Sequence, residues 1–204
     1  MTNSFENIPL QVEGEHSDTI HITECPDQQQ AHNLFLLAKD RLKDVAMWHR
    51  FSGPGSARFA ITDAQGQEIY KMAEKGDIFY IDLPAPGSLA GDGKEWVRIE
   101  STELAEDPEA ESEYFTMTAR PVANPDGKTD GAPAHFFKHT STNTFIVERY
   151  KNNVSVAIHG RNEVPNTDTN LYDTVRNTIL GLTARAGLSF PQWKSLARGV
   201  LEYE

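Results

Sequence analysis

The sequence predicts an α+β fold: a curled antiparallel sheet or partly open β-barrel of about seven strands, with one long N-terminal helix and a C-terminal pair of helices. Three observations predict it. Apolar residues recur at helical spacing between residues 26 and 50, short alternating stretches crowd residues 57–160, and helical spacing returns over 168–203. Strands bunched together, rather than alternating with helices, favour α+β over a parallel α/β sheet. With 204 residues, the chain suits a single domain over 1–204 and can bury a core without disulfides or metal.

Residues 1–24 form a polar N-terminal segment, with a short strand expected at 18–23, where Ile20 and Ile22 alternate with His21 and Thr23. Pro26 sits where a first helical turn tolerates it. Ala31, Leu34, Phe35, Ala38, Leu42 and Val45 then mark an apolar stripe, with Lys39, Asp40, Lys43 and Asp44 opposite. The spacing predicts one helix over 26–50, ending before Gly53-Pro54-Gly55. His49 continues the stripe and reads as a histidine at the edge of the core.

Residues 58–62 and 68–72 flank a Gly-bearing turn and read as a hairpin. Strands are expected at 77–83 and 95–100, joined by a Pro- and Gly-rich loop over 84–93. Residues 101–113 hold six acidic residues and no basic one, the pattern of a solvated loop. Residues 114–120 alternate again, and 124–133 read as a second polar loop.

The clearest hairpin pairs 144–150 with 154–159 across a two-residue turn near Asn152. That register matches odd positions of the first strand with even positions of the second. Phe145 and Val147 then share a face with Val156 and Ile158, so the apolar faces agree. Toward the C-terminal side, Leu171, Val175, Ile179, Leu182 and Ala186 form a helical stripe before Gly187. Ser189 and Gln192 make a capping box ahead of Trp193, Leu196, Ala197, Val200 and Leu201.

Thirty acidic residues against nineteen basic ones give a net charge of −11, which weighs against nucleic acid or an anionic membrane surface as partner. No apolar run approaches the roughly 20 residues needed to span a bilayer. The first ten residues lack the pattern of a secretory signal peptide, and a cytoplasmic location is expected. Cys25, the one cysteine, excludes an intramolecular disulfide and reads as structural.

Phosphate and calcium motifs fail on inspection. Gly93-Lys94 is followed by Glu95 where a phosphate-binding loop needs Ser or Thr, and Ser88 replaces its first glycine. Residues 126–131 begin like an EF-hand loop, but Lys128 occupies a ligand position and Phe137 the closing one. Neither cofactor nor metal is expected.

The 144–159 hairpin carries the site expectation. Its open end gathers two distant polar stretches, with Ser141 on one side and His159, Arg161, Asn162 and Glu163 on the other; His135 and His139 lie just upstream. By the same register, His159, Arg161 and Glu163 project from the face opposite Val156 and Ile158. The leading reading is a non-catalytic binding or interaction module whose partner is a protein or small molecule. The alternative is a small enzyme. It would use either a metal held by His135 and His139 with His159 or Glu163 as third ligand, or acid–base chemistry drawn from Ser141, His159 and Glu163. No nucleophile elbow surrounds Ser141.

Overall fold

The computed structural model describes residues 4–83, 93–126, 135, 137–165 and 189–203. Seven strands form one antiparallel sheet: β1 (Glu15–Glu24), β2 (Arg58–Thr62), β3 (Ile78–Asp82), β4 (Glu95–Ala105), β5 (Ser112–Pro121), β6 (Thr142–Tyr150) and β7 (Asn153–Glu163). Their order is β1-β7-β6-β5-β4-β3-β2. β1 and β2 are the two edges and do not pair with each other, so the sheet is not closed into a barrel. Three helices accompany it among the described residues: α1 (Gln28–Lys43), α2 (Trp48–Ser52) and α3 (Ser189–Glu202). None is long and apolar enough to cross a membrane.

The helices cover one face of the sheet because one set of alternating positions is apolar along every central strand. Phe115 and Met117 of β5, Phe145 and Val147 of β6, and Val154, Val156 and Ile158 of β7 are buried with Phe35 and Leu42 of α1 and Leu196 and Val200 of α3. Trp48 occupies the centre. Its ring lies 4.9 Å from Phe145, 5.3 Å from Phe59, 5.8 Å from Phe79 and 6.3 Å from Trp193, and its indole N–H donates to the Leu42 carbonyl. Large rings of this kind dominate the apolar area a core removes from water.

The expected single helix over 26–50 is broken. Asp27 caps α1, accepting from the Gln30 N–H at 2.7 Å, and α1 ends at Lys43. A 3-10 turn over Val45–Met47 then redirects the chain into the short α2. The break puts Trp48, fully buried, into the core. His49 is left half-buried, with Nδ1 against the Ala46 carbonyl at 2.8 Å. Burying the larger apolar ring outweighs continuing the helix.

Two strand expectations are also corrected. The hairpin of 58–62 with 68–72 shrinks to the bridge Thr62–Glu68 and one bond from the Ile69 N–H to the Ile61 carbonyl, while β3 is the full-length partner of β2. The chain leaves the edge because Ala73, buried, bonds instead to the Lys43 carbonyl at 2.8 Å. The acidic stretch 101–113 is largely strand, since β4 runs to Ala105 and β5 begins at Ser112. Arg149 makes this possible. It is fully buried against the equally buried Glu113, whose carboxylate also meets His32 at 2.8 Å.

The β6–β7 hairpin has the register read from the sequence: Tyr150 pairs with Asn153, Val147 with Val156 and Phe145 with Ile158. In α3, Trp193, Leu196, Ala197, Val200 and Leu201 are all buried, as their spacing requires. At Gly199 a Cβ would lie 1.8 Å from the Phe51 carbonyl oxygen, so α3 crosses α2 in direct contact. The first helix expected in the C-terminal pair lies outside the described residues.

Candidate functional site

The open end of the hairpin does bring distant polar residues together. Thr142 pairs with Arg161, Thr144 pairs with His159, and the Ser141 hydroxyl donates to the Asn162 carbonyl at 2.7 Å. The strand expected at 18–23 is present as part of β1, and what the sequence did not reveal is its partner. β1 lies along the other side of β7, setting Asp18 opposite His159 and Ser17 opposite Gly160. Pairing between residues some 140 positions apart leaves no local signal.

On the outer face, away from the helices, Asp18 gathers two partners. His159 Nδ1 lies 2.5 Å from Asp18 Oδ1, and Arg161 Nη1 lies 2.8 Å from the same oxygen. Arg161 also donates to the carbonyls of Gly160 and Ser17. Burial raises the Asp18 carboxyl, but the bonds from His159 and Arg161 outweigh it and hold the group below its ordinary range. In a neutral ring that gives its Nδ1–H to Asp18, the other imidazole nitrogen is an acceptor. That Nε2 is buried and has no hydrogen-bond partner. The hydroxyl of Thr142, two residues along β6 from the position facing His159, is likewise buried and unpartnered, whereas Thr118 and Thr144 bond to each other at 3.0 Å.

The N-terminal segment is fastened across this face. Ser4 donates to Glu148 at 2.8 Å, and the Phe5 ring lies 6.0 Å from the His159 ring. At the other end, Asn162 works as a clamp. Its Oδ1 accepts from the N–H groups of Val12 and Glu13, its Nδ2 donates to the Leu10 carbonyl, and its backbone N–H donates to Gln11. Asn162 does this in the left-handed conformation, φ 55°, which asparagine adopts more readily than most residues.

That conformation overturns one expectation. The β1–β7 register slips between Ser17 and Glu15, and past this irregularity Glu163 lies on the helix-side face rather than beside His159 and Arg161. Its carboxylate sits over Gly160 and bonds Ser17 Oγ at 3.2 Å. Burial pushes the Glu163 carboxyl above its ordinary range. An asparagine two residues after a glycine near a strand end was the sequence cue for a bulge.

No family model matches the chain, and no curated protein matches it in sequence. Solved structures overlap it loosely. Protein Ms6760 from Mycobacterium smegmatis is 12% identical with a TM-score of 0.42, over 93% of this chain and 91% of that one. A truncated norcoclaurine synthase from Thalictrum flavum is 13% identical with a TM-score of 0.35, over 96% and 100%. Ginseng major latex-like protein 151 from Panax ginseng is 14% identical with a TM-score of 0.34, over 92% and 96%. Likenesses at this level carry nothing over to the residues of this chain.

The remaining expected residues stand apart. His135 is buried, accepts at Nδ1 from the Phe137 N–H at 3.0 Å, and lies 3.8 Å from a Glu95 oxygen. Burial lowers its pKa from 6.5 to about 4. His139 lies in a turn, its carbonyl held by Arg120 at 2.7 Å. Among the described residues no three His, Cys, Asp or Glu side chains are grouped to hold a metal ion. His135 lies in a bend and His139 in a turn, and Phe137 makes an isolated bridge to Pro165, so neither histidine stands in a helix or strand. The Ser141–His159–Glu163 arrangement is not assembled either. Ser141 gives its proton to a carbonyl, and Glu163 lies across the sheet from the imidazole.

Proposed function

We propose that the protein is a non-catalytic binding module whose ligand is a small polar molecule held on the outer face, between β7, β6 and the N-terminal turn. One observation carries this: His159 Nε2 is a buried ring nitrogen without a partner, on a ring whose other nitrogen is held against Asp18, and in the neutral ring it is an acceptor. Leaving such a group unsatisfied costs about 1–3 kcal/mol. A ligand offering a hydroxyl, amide or ammonium proton recovers that cost, and the Thr142 hydroxyl gives it a second polar contact on the same face. Arg161 orients the carboxylate that orients the imidazole. Ser141 and Asn162 act as the scaffold, fixing the strand end and the N-terminal segment.

The same reading takes residues 1–204 as one domain acting in the cytoplasm. Its partner is a small molecule, or a protein presenting the same donor group, rather than nucleic acid or membrane, in keeping with the net charge of −11. The test is nitrogen-15 NMR of the His159 imidazole during titration with small alcohols, amides and alkylammonium ions. One class is expected to move the Nε2 resonance to saturation, with the response lost in His159→Phe while the fold persists. An Nε2 signal that no class moves defeats the proposal.

A further inference from the structure

We propose that β1 is also the place where a second copy of this chain binds, joining two sheets edge to edge about a two-fold axis at Ile20. This goes beyond the ligand site and does not depend on it. Among the described residues β1 pairs only with β7, so its other side is an edge. The direction of its backbone groups follows from two facts. The Cys25 N–H donates to Asn152, and the two-residue turn makes Tyr150–Asn153 the closing pair of the hairpin. Odd residues of β1 therefore turn N–H and C=O toward β7, and Asp18, Ile20, Ile22 and Glu24 turn theirs outward.

The side chains of those outward-bonding residues share the outer face, where Ile20 and Ile22 are each 56% exposed. Natural edges are blunted by lysine, proline or bulges. β1 has no lysine or proline, and its pairing is regular from Ser17 to Glu24. The opposite edge, β2, is partly covered by the Thr62–Glu68 bridge.

Only some self-pairings suit this strand. With Ile20 facing its own copy, the two isoleucines meet on the axis, His16 faces Glu24 of the second copy twice over, Ser17 faces Thr23, and Asp18 faces Ile22. Sliding two residues one way sets Ile20 against Asp18 and Ile22 against His16, leaving no isoleucine pair; sliding the other way pairs Ile20 with Ile22 but sets Asp18 against Glu24 twice. Of the three, the Ile20-centred register joins isoleucines without setting carboxylates against each other, and it gives a closed, isologous dimer.

Sedimentation and cysteine cross-linking test it. In a hydrogen-bonded antiparallel pair, facing Cα atoms are about 5.5 Å apart, within reach of a disulfide. Two copies of residue 22 would be about 13 Å apart, out of reach. The full chain is expected to sediment as a concentration-dependent dimer, and Ile20→Cys to cross-link under mild oxidation where Ile22→Cys does not. Ile20→Lys, at an exposed position, is expected to keep its melting temperature and weaken the dimer about tenfold or more, as like charges then meet on the axis. A wild-type monomer at every concentration, equal cross-linking of both cysteine variants, or an unweakened Ile20→Lys dimer overturns the proposal.

Discussion

A methyl group on Gly160 would lie 2.3 Å from Oε1 of Glu163 and 2.4 Å from Oγ of Ser17. The glycine is thus the floor on which a buried carboxylate rests, and no rotamer of a larger residue fits there without moving both neighbours. Gly160→Ala is expected to destabilise the fold by about 1–3 kcal/mol, the usual range for overpacking. In a Glu163→Ala background the same substitution should cost less, since one of the two obstructions is gone. A double-mutant cycle by urea denaturation reads this coupling, and a cost unchanged by Glu163→Ala would show that Glu163 is not what Gly160 accommodates.

Asn162 combines a left-handed backbone with hydrogen bonds to four neighbours in the N-terminal segment. The two contributions are separable. Asn162→Ala loses the side-chain bonds and strains the backbone, and about 2 kcal/mol of destabilisation is expected. Asn162→Gly keeps the conformation and loses only the side-chain bonds, so it should fall between alanine and wild type. Hydrogen exchange at the Val12 and Glu13 amides should quicken in both variants. Unchanged protection at those two amides would mean that the side chain of Asn162 does not hold the segment.

Much of the scaffold was legible because its signals are local. The alternation of Phe145, Val147, Val156 and Ile158, with room for a two-residue turn, determined the hairpin register. The stripe from Trp193 to Leu201 determined the buried face of α3. What escaped depends on contacts between distant residues. Asp18 becomes a site residue only because β1 pairs with β7. Glu113 turns from a loop charge into a buried one only because Arg149 is its partner. The orientation of Glu163 hangs on one backbone angle at Asn162, and a strict two-residue alternation carried past that point assigns it to the wrong face.

Arg149 and Glu113 are completely buried, and they organise more than each other. Arg149 also donates to the carbonyls of Ala110 and Asp107, and Glu113 accepts from the Asp107 N–H at 3.0 Å and meets His32. Removing one partner strands the other charge away from water. Arg149→Met or Glu113→Gln alone is therefore expected to cost about 3–5 kcal/mol, and the double variant less than the sum. Chemical denaturation of the three variants checks it. Strict additivity would show that the two side chains act independently.

His135 makes stability depend on acid in a definite window. Its ring is buried and its pKa falls from 6.5 to about 4, because burial disfavours the charged imidazolium. The Phe137 N–H bond to Nδ1 requires the neutral ring as well. Between these two values the unfolded chain binds a proton that the folded one does not. The stabilisation is thus complete above about pH 6.5 and is lost as pH falls toward 4, by on the order of 3 kcal/mol. Glu163 acts in the opposite sense: its raised carboxyl favours the folded state at low pH, and that contribution is lost as pH rises through its folded value. His135→Gln keeps an acceptor for the Phe137 N–H but cannot titrate, so its stability should be flatter between pH 6.5 and 4 than that of the wild type. Urea midpoints at pH 7, 5.5 and 4 decide it, and parallel pH profiles for the two proteins would remove His135 as the source of acid sensitivity.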